Sequence, residues 1–233
     1  MTVRARARAV FFDVDFTLIY PGPDFQGPGY RDFCARFGID ADPALFDRAV
    51  ADAAELLQPA SGQYDAQLYI DYTRRIIEGM GGRGPGVDDA AREIYVEWAA
   101  CHHFFLYDDV AEVLRELHAS NYQIGLITNS HRCLDAFQSH FALEGLFSVA
   151  VSSVAHGYLK PHPSIFEFAL RAAAVEPGQA VMVGDSFAHD VEGARRLGMH
   201  GVLVARSGMP PACPPDVAVI QSLRQLPALL AAL

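Results

Sequence analysis

The sequence predicts an α/β fold: a doubly wound parallel sheet with an α-helical domain inserted after its first strand. Three observations carry this. The apolar run Ala9-Val10-Phe11-Phe12 reads as a buried strand and passes directly into Asp13-Val14-Asp15-Phe16-Thr17. From Val110 onward, helical and strand-like segments alternate, the pattern of a parallel sheet covered by helices on both faces. Between these parts lies a block, from about Tyr30 to Phe105, with helical patterning alone.

In chain order, the first strand is followed by Leu18-Ile19-Tyr20 and a Pro/Gly-rich loop from Pro21 to Gly29. Helices are expected over 30–37, 43–57, 64–80 and 87–104. Asp42-Pro43 supplies an N-cap with proline in the first helical position, and the glycines from Gly79 to Gly86 break the pattern. Helices are then expected at 110–119, 131–141, 163–174 and 191–197, and strands at 122–128, 147–153, 180–185 and 201–205. A short strand at 216–220 and a terminal helix at 226–233 complete the chain. The domain division that follows is a core of 1–20 and 106–233, with a helical cap domain at 21–105.

The chain has 233 residues, 51% of them hydrophobic, enough for a full core without global disorder. A formal net charge of -10 argues against a nucleic-acid-binding surface and suits a divalent cation. Arg4, Arg6 and Arg8 read as a solvated lead-in to the first strand; no apolar segment follows that could serve as a signal peptide, and no run is long enough to span a bilayer. A cytoplasmic protein without a membrane partner is the expectation. Cys34, Cys101, Cys133 and Cys213 are widely spaced, with no CxxC, so reduced thiols are expected. No residue pattern supports Cys133 as a nucleophile over a helix-buried thiol.

The chemistry gathers at predicted strand ends, where open α/β sheets bind ligands. Residues i and i+2 of an extended segment point the same way, so Asp13 and Asp15 can face one reactant together. A lone DxDxT is more often a turn cap; its neighbours in the fold decide otherwise. Leu126-Ile127-Thr128-Asn129-Ser130 ends a second strand, with the Thr128 hydroxyl and free helix-start amides able to hold an anion, while Ser130 reads as a helix cap. Lys160, stiffened by Pro161 and Pro163, can neutralise phosphate charge. Asp185 ends a further strand, Gly184 before it permits close approach, and Asp190 follows. Asp13, Asp15, Asp185 and Asp190 would gather oxygens around one hard cation, for which magnesium is the natural choice; Asp190 could also cap the next helix. His102 and His103, adjacent and splayed on a helix, read as hinge residues and not as metal ligands. Tyr64, Tyr69 and Tyr72 read as a packing face.

With these residues in place, the chain resembles hydrolases of the haloacid dehalogenase superfamily that carry a helical (C1-type) cap. DVDFTL, ITNS, the lysine of GYLKPHPSIF and GDSFAHD match the four signatures in order, over roughly residues 8–20 and 106–205. The cap matches in helical character and position alone. The resemblance implies that Asp13 attacks phosphorus to form an aspartyl-phosphate and that Asp15 serves as acid and then base. It implies that Thr128, Asn129 and Lys160 hold the phosphoryl group. Magnesium would be held by the Asp13 carboxylate, the Asp15 carbonyl and Asp185, with Asp190 orienting it. The activity implied is a magnesium-dependent phosphatase for a small phosphorylated metabolite, as a monomer or homodimer. A phosphomutase keeps all these groups and stands as the alternative. A haloacid dehalogenase lacks an acid at Asp15, a phosphonate-cleaving enzyme needs a cap lysine that the predicted cap helices lack, and a non-catalytic scaffold predicts a broken set. Two positions depart from the family pattern: Phe16 where glycine is frequent, and His162 where aspartate is common. His162 reads as a loop-stabilising hydrogen-bonding residue.

Overall fold

The computed structural model describes residues 7–57, 61–206, 208 and 213–232. Arg4 and Arg6 of the basic lead-in and Leu233 of the terminal helix lie outside them. The chain divides into two compact units, Met1–Tyr20 with Leu106–Leu233, and Pro21–Phe105. Its strands are β1 (Ala9–Phe12), β2 (Ile19–Pro21), β3 (Phe104–Leu106), β4 (Gln123–Thr128), β5 (Phe147–Ser152), β6 (Ala180–Gly184), β7 (His200–Val204) and β8 (Ala218–Ile220). The α-helices are α1 (Gly27–Arg36), α2 (Phe46–Ala53), α3 (Ala66–Gly79), α4 (Val87–Trp98), α5 (Val110–Ala119), α6 (Leu134–His140), α7 (Ser153–His156), α8 (Pro163–Ala173), α9 (Gly193–Arg196) and α10 (Leu226–Ala231).

The first unit is built on a parallel six-stranded sheet in the order β5-β4-β1-β6-β7-β8. The chain runs outward from β1 to β4 and β5, then returns to the other side of β1 for β6. The strand order therefore reverses beside β1, and its carboxyl end is the crevice where such sheets bind ligands. Register aligns the strand ends there: Phe12 pairs with Leu126 of β4 and Val183 of β6. Every residue of β1 is buried, as expected for a central strand covered on both faces. One core cluster under α8 joins Phe11, Ile127, Val151, Phe166 and Met182.

The second unit is helical. Ile76 and Ile77 of α3, Met80 directly after it, and Ala90, Ala91 and Ile94 of α4 are buried, and Phe25 stacks among Phe33, Trp98 and Phe104 with ring centroids 4.7–6.0 Å away. Tyr64, Tyr69 and Tyr95 form a partly exposed tyrosine face, with the Tyr64 and Tyr95 hydroxyls 2.6 Å apart.

Two expectations about secondary structure change. The helix expected to run on to Phe104 stops at Trp98. Ala100 turns extended, a short 3-10 turn covers Cys101–His103, and β3 pairs with β2 as a two-stranded ribbon. The apolar run Phe104-Phe105-Leu106 suits a strand as well as a helix, and ring contacts of Phe104 with Phe25 and Trp98 hold it. The helix expected from Val191 begins earlier, as a π-helical turn over Phe187–Glu192; such turns concentrate at functional sites. Phe16 has φ 64°, the left-handed region that favours glycine. This accounts physically for the family's frequent glycine there.

Asp109, at the start of α5, ties the sheet to the C-terminal segment. Its buried carboxylate accepts from Arg206 Nη1 at 2.7 and 2.9 Å, Ser222 Oγ at 2.7 Å and the Leu223 amide at 2.8 Å. Arg206 also donates to the Thr17 carbonyl at 2.7 Å, which anchors the loop after β1. Burial pushes the Asp109 carboxyl up, but the Arg206 and Ser222 hydrogen bonds outweigh it and hold it below the ordinary range. Its folded value being depressed, Asp109 contributes stability that is complete above about pH 4 and is lost as pH falls through the folded value. Replacing Asp109 by Ala leaves Arg206 without its carboxylate and is expected to cost about 3–5 kcal/mol. The same substitution flattens the acid limb of the stability curve. Denaturant unfolding of both proteins between pH 3 and 7 checks both effects; equal midpoints would refute them.

Candidate active site

Lys160 is the only lysine in the sequence, and its side chain is 2% exposed. Nζ donates to Asp13 Oδ1 at 2.6 Å, Asp190 Oδ1 at 2.6 Å and the Ile127 carbonyl at 2.7 Å. An ammonium has three donors, and these partners use all three. The lysine thereby links the end of β1, the penultimate residue of β4 and the π turn after β6. Its backbone is held too: the Asn129 side chain accepts from Lys160 N at 2.7 Å and donates to Lys160 O at 3.0 Å. The Asn129 amide thus spans the lysine backbone instead of facing an anion, so this side chain positions Lys160. His162 Nδ1 accepts from the Ser164 amide at the start of α8, 3.3 Å away, as the loop-stabilising reading expects.

The aspartates are fixed from both sides. Asp13 N donates to the Val183 carbonyl at 2.9 Å, extending the β1–β6 pairing by one residue. Asp190 Oδ2 accepts from Ser186 N at 3.0 Å. Gly184 leaves room for this, since a Cβ there would collide with the Asp190 carboxylate. The Asp185 amide donates to Thr17 Oγ1 at 3.1 Å, so the buried Thr17 fastens the loop after β1 to the end of β6. One oxygen each of Asp13, Asp185 and Asp190 lies within 4.8 Å of the others. Asp15 stands apart from this group, its Oδ1 accepting from Arg132 Nη2 at 3.1 Å.

Three clustered carboxylates face one ammonium. Burial, and then the charges of Asp13 and Asp190, push the Asp185 carboxyl up to about 8. Burial raises Asp190 as well, against the pull of Lys160. Asp15 is raised by burial, with Arg132 opposing. Lys160 is held protonated: burial disfavours its charge, and Asp13 and Asp190 more than restore it. An all-oxygen donor set with surplus negative charge fits a hard divalent cation. The Thr128 hydroxyl is buried and has no hydrogen-bond partner among the described residues, a free group beside Lys160 for an incoming anion.

Sequence reading did not single out Arg132 as a functional residue. It falls inside the helix expected at 131–141, where an arginine reads as a solvated side chain. The helix instead starts at Leu134, and the loop before it buries Arg132 completely, its amide donating to Ser130 Oγ at 3.1 Å. A cation four residues after Thr128, directly past a strand end, was the available signal.

The geometry agrees with the comparisons. A family profile described as hydrolase, haloacid dehalogenase-like hydrolase, matches residues 7–198. The chain belongs to this family. It is 34% identical over 176 residues to haloacid dehalogenase-like hydrolase domain-containing protein 3 of Xenopus laevis, covering 72% of this chain and 70% of the relative. It is 29% identical over 241 residues to the N-acylneuraminate-9-phosphatase of Mus musculus, covering 97% and 94%. The crystal structure of a HAD phosphatase from Thermococcus onnurineus superposes with a TM-score of 0.66 at 24% identity, covering 96% of this chain and 98% of that one. Among the described residues, no helix is long and apolar enough to cross a membrane.

The charge imbalance has a measurable consequence in the cation-free protein. A carboxyl raised in the folded state favours folding when protonated, so its contribution declines as pH rises from about 4 towards 8. Asp185→Asn removes this penalty. The variant is expected to be more stable than the parent at pH 8 in EDTA, with the difference closing by pH 4. Thermal unfolding across that range checks it, and a variant less stable at pH 8 would overturn the charge argument.

Proposed function

We propose that the protein is a magnesium-dependent phosphatase acting on a small phosphorylated metabolite through an aspartyl-phosphate on Asp13. The observation that carries this reading is the Asp13–Lys160–Asp190 cluster, with Asp185 beside it and the unpartnered Thr128 hydroxyl at the end of the adjoining strand β4. Such a site binds charge of both signs, as phosphoryl transfer requires. The phosphatase names among the relatives support it. Magnesium would be held by the Asp13 and Asp185 carboxylates and the Asp15 carbonyl, with Asp190 orienting it. When bound, it offsets the surplus charge and lets two anions, carboxylate and phosphate, approach.

In this reading an Asp13 oxygen attacks phosphorus as the bond to the leaving oxygen breaks, and Asp15 delivers a proton to that oxygen. The raised carboxyl of Asp15 favours the protonated form that this step needs. Asp15, now ionised, takes a proton from water, whose oxygen attacks phosphorus and frees Asp13 and inorganic phosphate. The Thr128 hydroxyl would hold the transferring group, and Lys160, its three donors engaged by Asp13, Asp190 and Ile127, would offset its charge. Asn129 acts through Lys160, its own backbone amide remaining for an anion. Arg132 is a positioning residue, which holds the Asp15 carboxylate in one orientation. The helical unit Pro21–Phe105 would serve as the cap and carry specificity, because the reacting groups named here all lie outside it.

A screen of phosphomonoesters with magnesium is the primary test. Steady phosphate release is expected, blocked by EDTA, and reduced at least a thousandfold by Asp13→Asn with unchanged circular dichroism, in line with losing a nucleophile. Net isomerisation without phosphate release would favour the mutase. Variants within the helical unit should reorder substrates while leaving magnesium affinity unaltered.

The Arg132 role has its own test. Arg132→Met should lower kcat/KM more for alkyl phosphates, which need a proton at the leaving oxygen, than for p-nitrophenyl phosphate. In an Asp15→Asn background the substitution should change little, since interacting residues are non-additive. Losses that simply multiply in the double variant would place Arg132's effect elsewhere.

A further inference from the structure

Outside the acidic site, the described residues hold one other convergent set of candidate metal-ligand atoms, within the helical unit. Glu97 near the end of α4, His102 and His103 each bring one such atom within 4.8 Å of the others. Adjacent histidines on an α-helix splay apart, which is why the sequence excludes them as ligands. Here the helix has already ended and both lie on the 3-10 turn Cys101–His103, their ring centroids 3.9 Å apart.

His103 is oriented with unusual care. Its side chain is 12% exposed, with the Phe25 ring edge-on at 5.2 Å. Nδ1 lies 2.7 Å from Asp24 Oδ2, and Nε2 lies 2.9 Å from Glu97 Oε2. A metal-bound histidine commonly gives its other ring nitrogen to a carboxylate, which fixes the tautomer and the ring plane. Asp24 is placed to do that, leaving Nε2 directed at the Glu97 carboxylate, with the His102 ring beside that of His103. Two ligands on a tetrahedral zinc ion sit about 3.3 Å apart; Nε2 and Oε2 need to open by only a few tenths of an ångström. His102 is exposed and gives an ion a path in.

We infer that Glu97, His102 and His103 form a binding site for a zinc-type divalent cation, with Asp24 as the carboxylate that orients His103. Two imidazoles and one carboxylate select a late first-row ion over magnesium or calcium, which prefer oxygen alone. Three protein ligands leave a position for water. The ion would join residues from the two ends of the helical unit, Asp24 near its start and Glu97, His102 and His103 near its finish. Its effect is therefore to brace that unit.

The test is calorimetric titration of Zn2+ into the full chain carrying Asp185→Asn, which disables the acidic site so that the second site is read alone. One saturable site is expected. It should disappear in the Asp185→Asn, His102→Ala protein, which shortens an exposed side chain and whose circular dichroism should match that of the Asp185→Asn protein. Asp24→Asn should weaken binding at least about tenfold. Co2+ should give visible absorption from a nitrogen/oxygen site in the Asp185→Asn protein, absent after His102→Ala. Absence of saturable Zn2+ binding, or binding that His102→Ala leaves unchanged, overturns the inference. Neither result depends on phosphatase activity.

Discussion

The site depends on one ammonium group. The chain carries 18 basic residues, and all but Lys160 are arginines. A guanidinium is a flat fork with five donors, suited to carboxylates side by side. Asp13 Oδ1, Asp190 Oδ1 and the Ile127 carbonyl instead surround a point, and a compact three-donor head meets them. Those acceptors come from three segments far apart in the chain. They meet only if β1 lies between β4 and β6 in the observed register, so the sheet topology and the site constrain each other. Lys160 is buried at a desolvation cost that its two carboxylates repay.

Much of this was legible in the sequence, because each signature sits where periodicity changes. Apolar strand residues stop at Asp13, Thr128 and Asp185, and carboxylates or a hydroxyl there are unusual enough to be read. The six-stranded sheet and most helices follow from the same alternation, with ends displaced by a few residues. What could not be read depends on contacts remote in sequence. Arg132 looks like an exposed helix residue until Asp15, more than a hundred positions earlier, lies beside it. The π turn at Phe187–Glu192 carries Asp190 to Lys160 and leaves no mark in composition. The ribbon of β2 and β3 is too short to outweigh helical context, and its apolar residues fit either state. The pairing of Asn129 with the Lys160 backbone is likewise invisible, because an asparagine after a threonine at a strand end suits an anion equally well.

Arg132 and Lys160 divide the cationic work. Lys160 binds within the cluster of Asp13 and Asp190, while Arg132 pairs with Asp15. Two aspartates separated by one residue thus have different surroundings, although both project from the same strand end. Difference in environment is how a pair of identical side chains takes unlike chemical parts. The cost falls on stability, since the clustered acids repel one another when no cation is near.

A single buried lysine also makes the protein its own reporter. An acylating or reductively alkylating reagent meets, apart from an α-amino group, one amine in the entire chain. That amine has no lone pair to offer while its three protons are committed to Asp13, Asp190 and the Ile127 carbonyl. Modification of Lys160 therefore has to await an excursion that frees it, and the modification rate, read by mass spectrometry, becomes a clock for local opening of the sheet end.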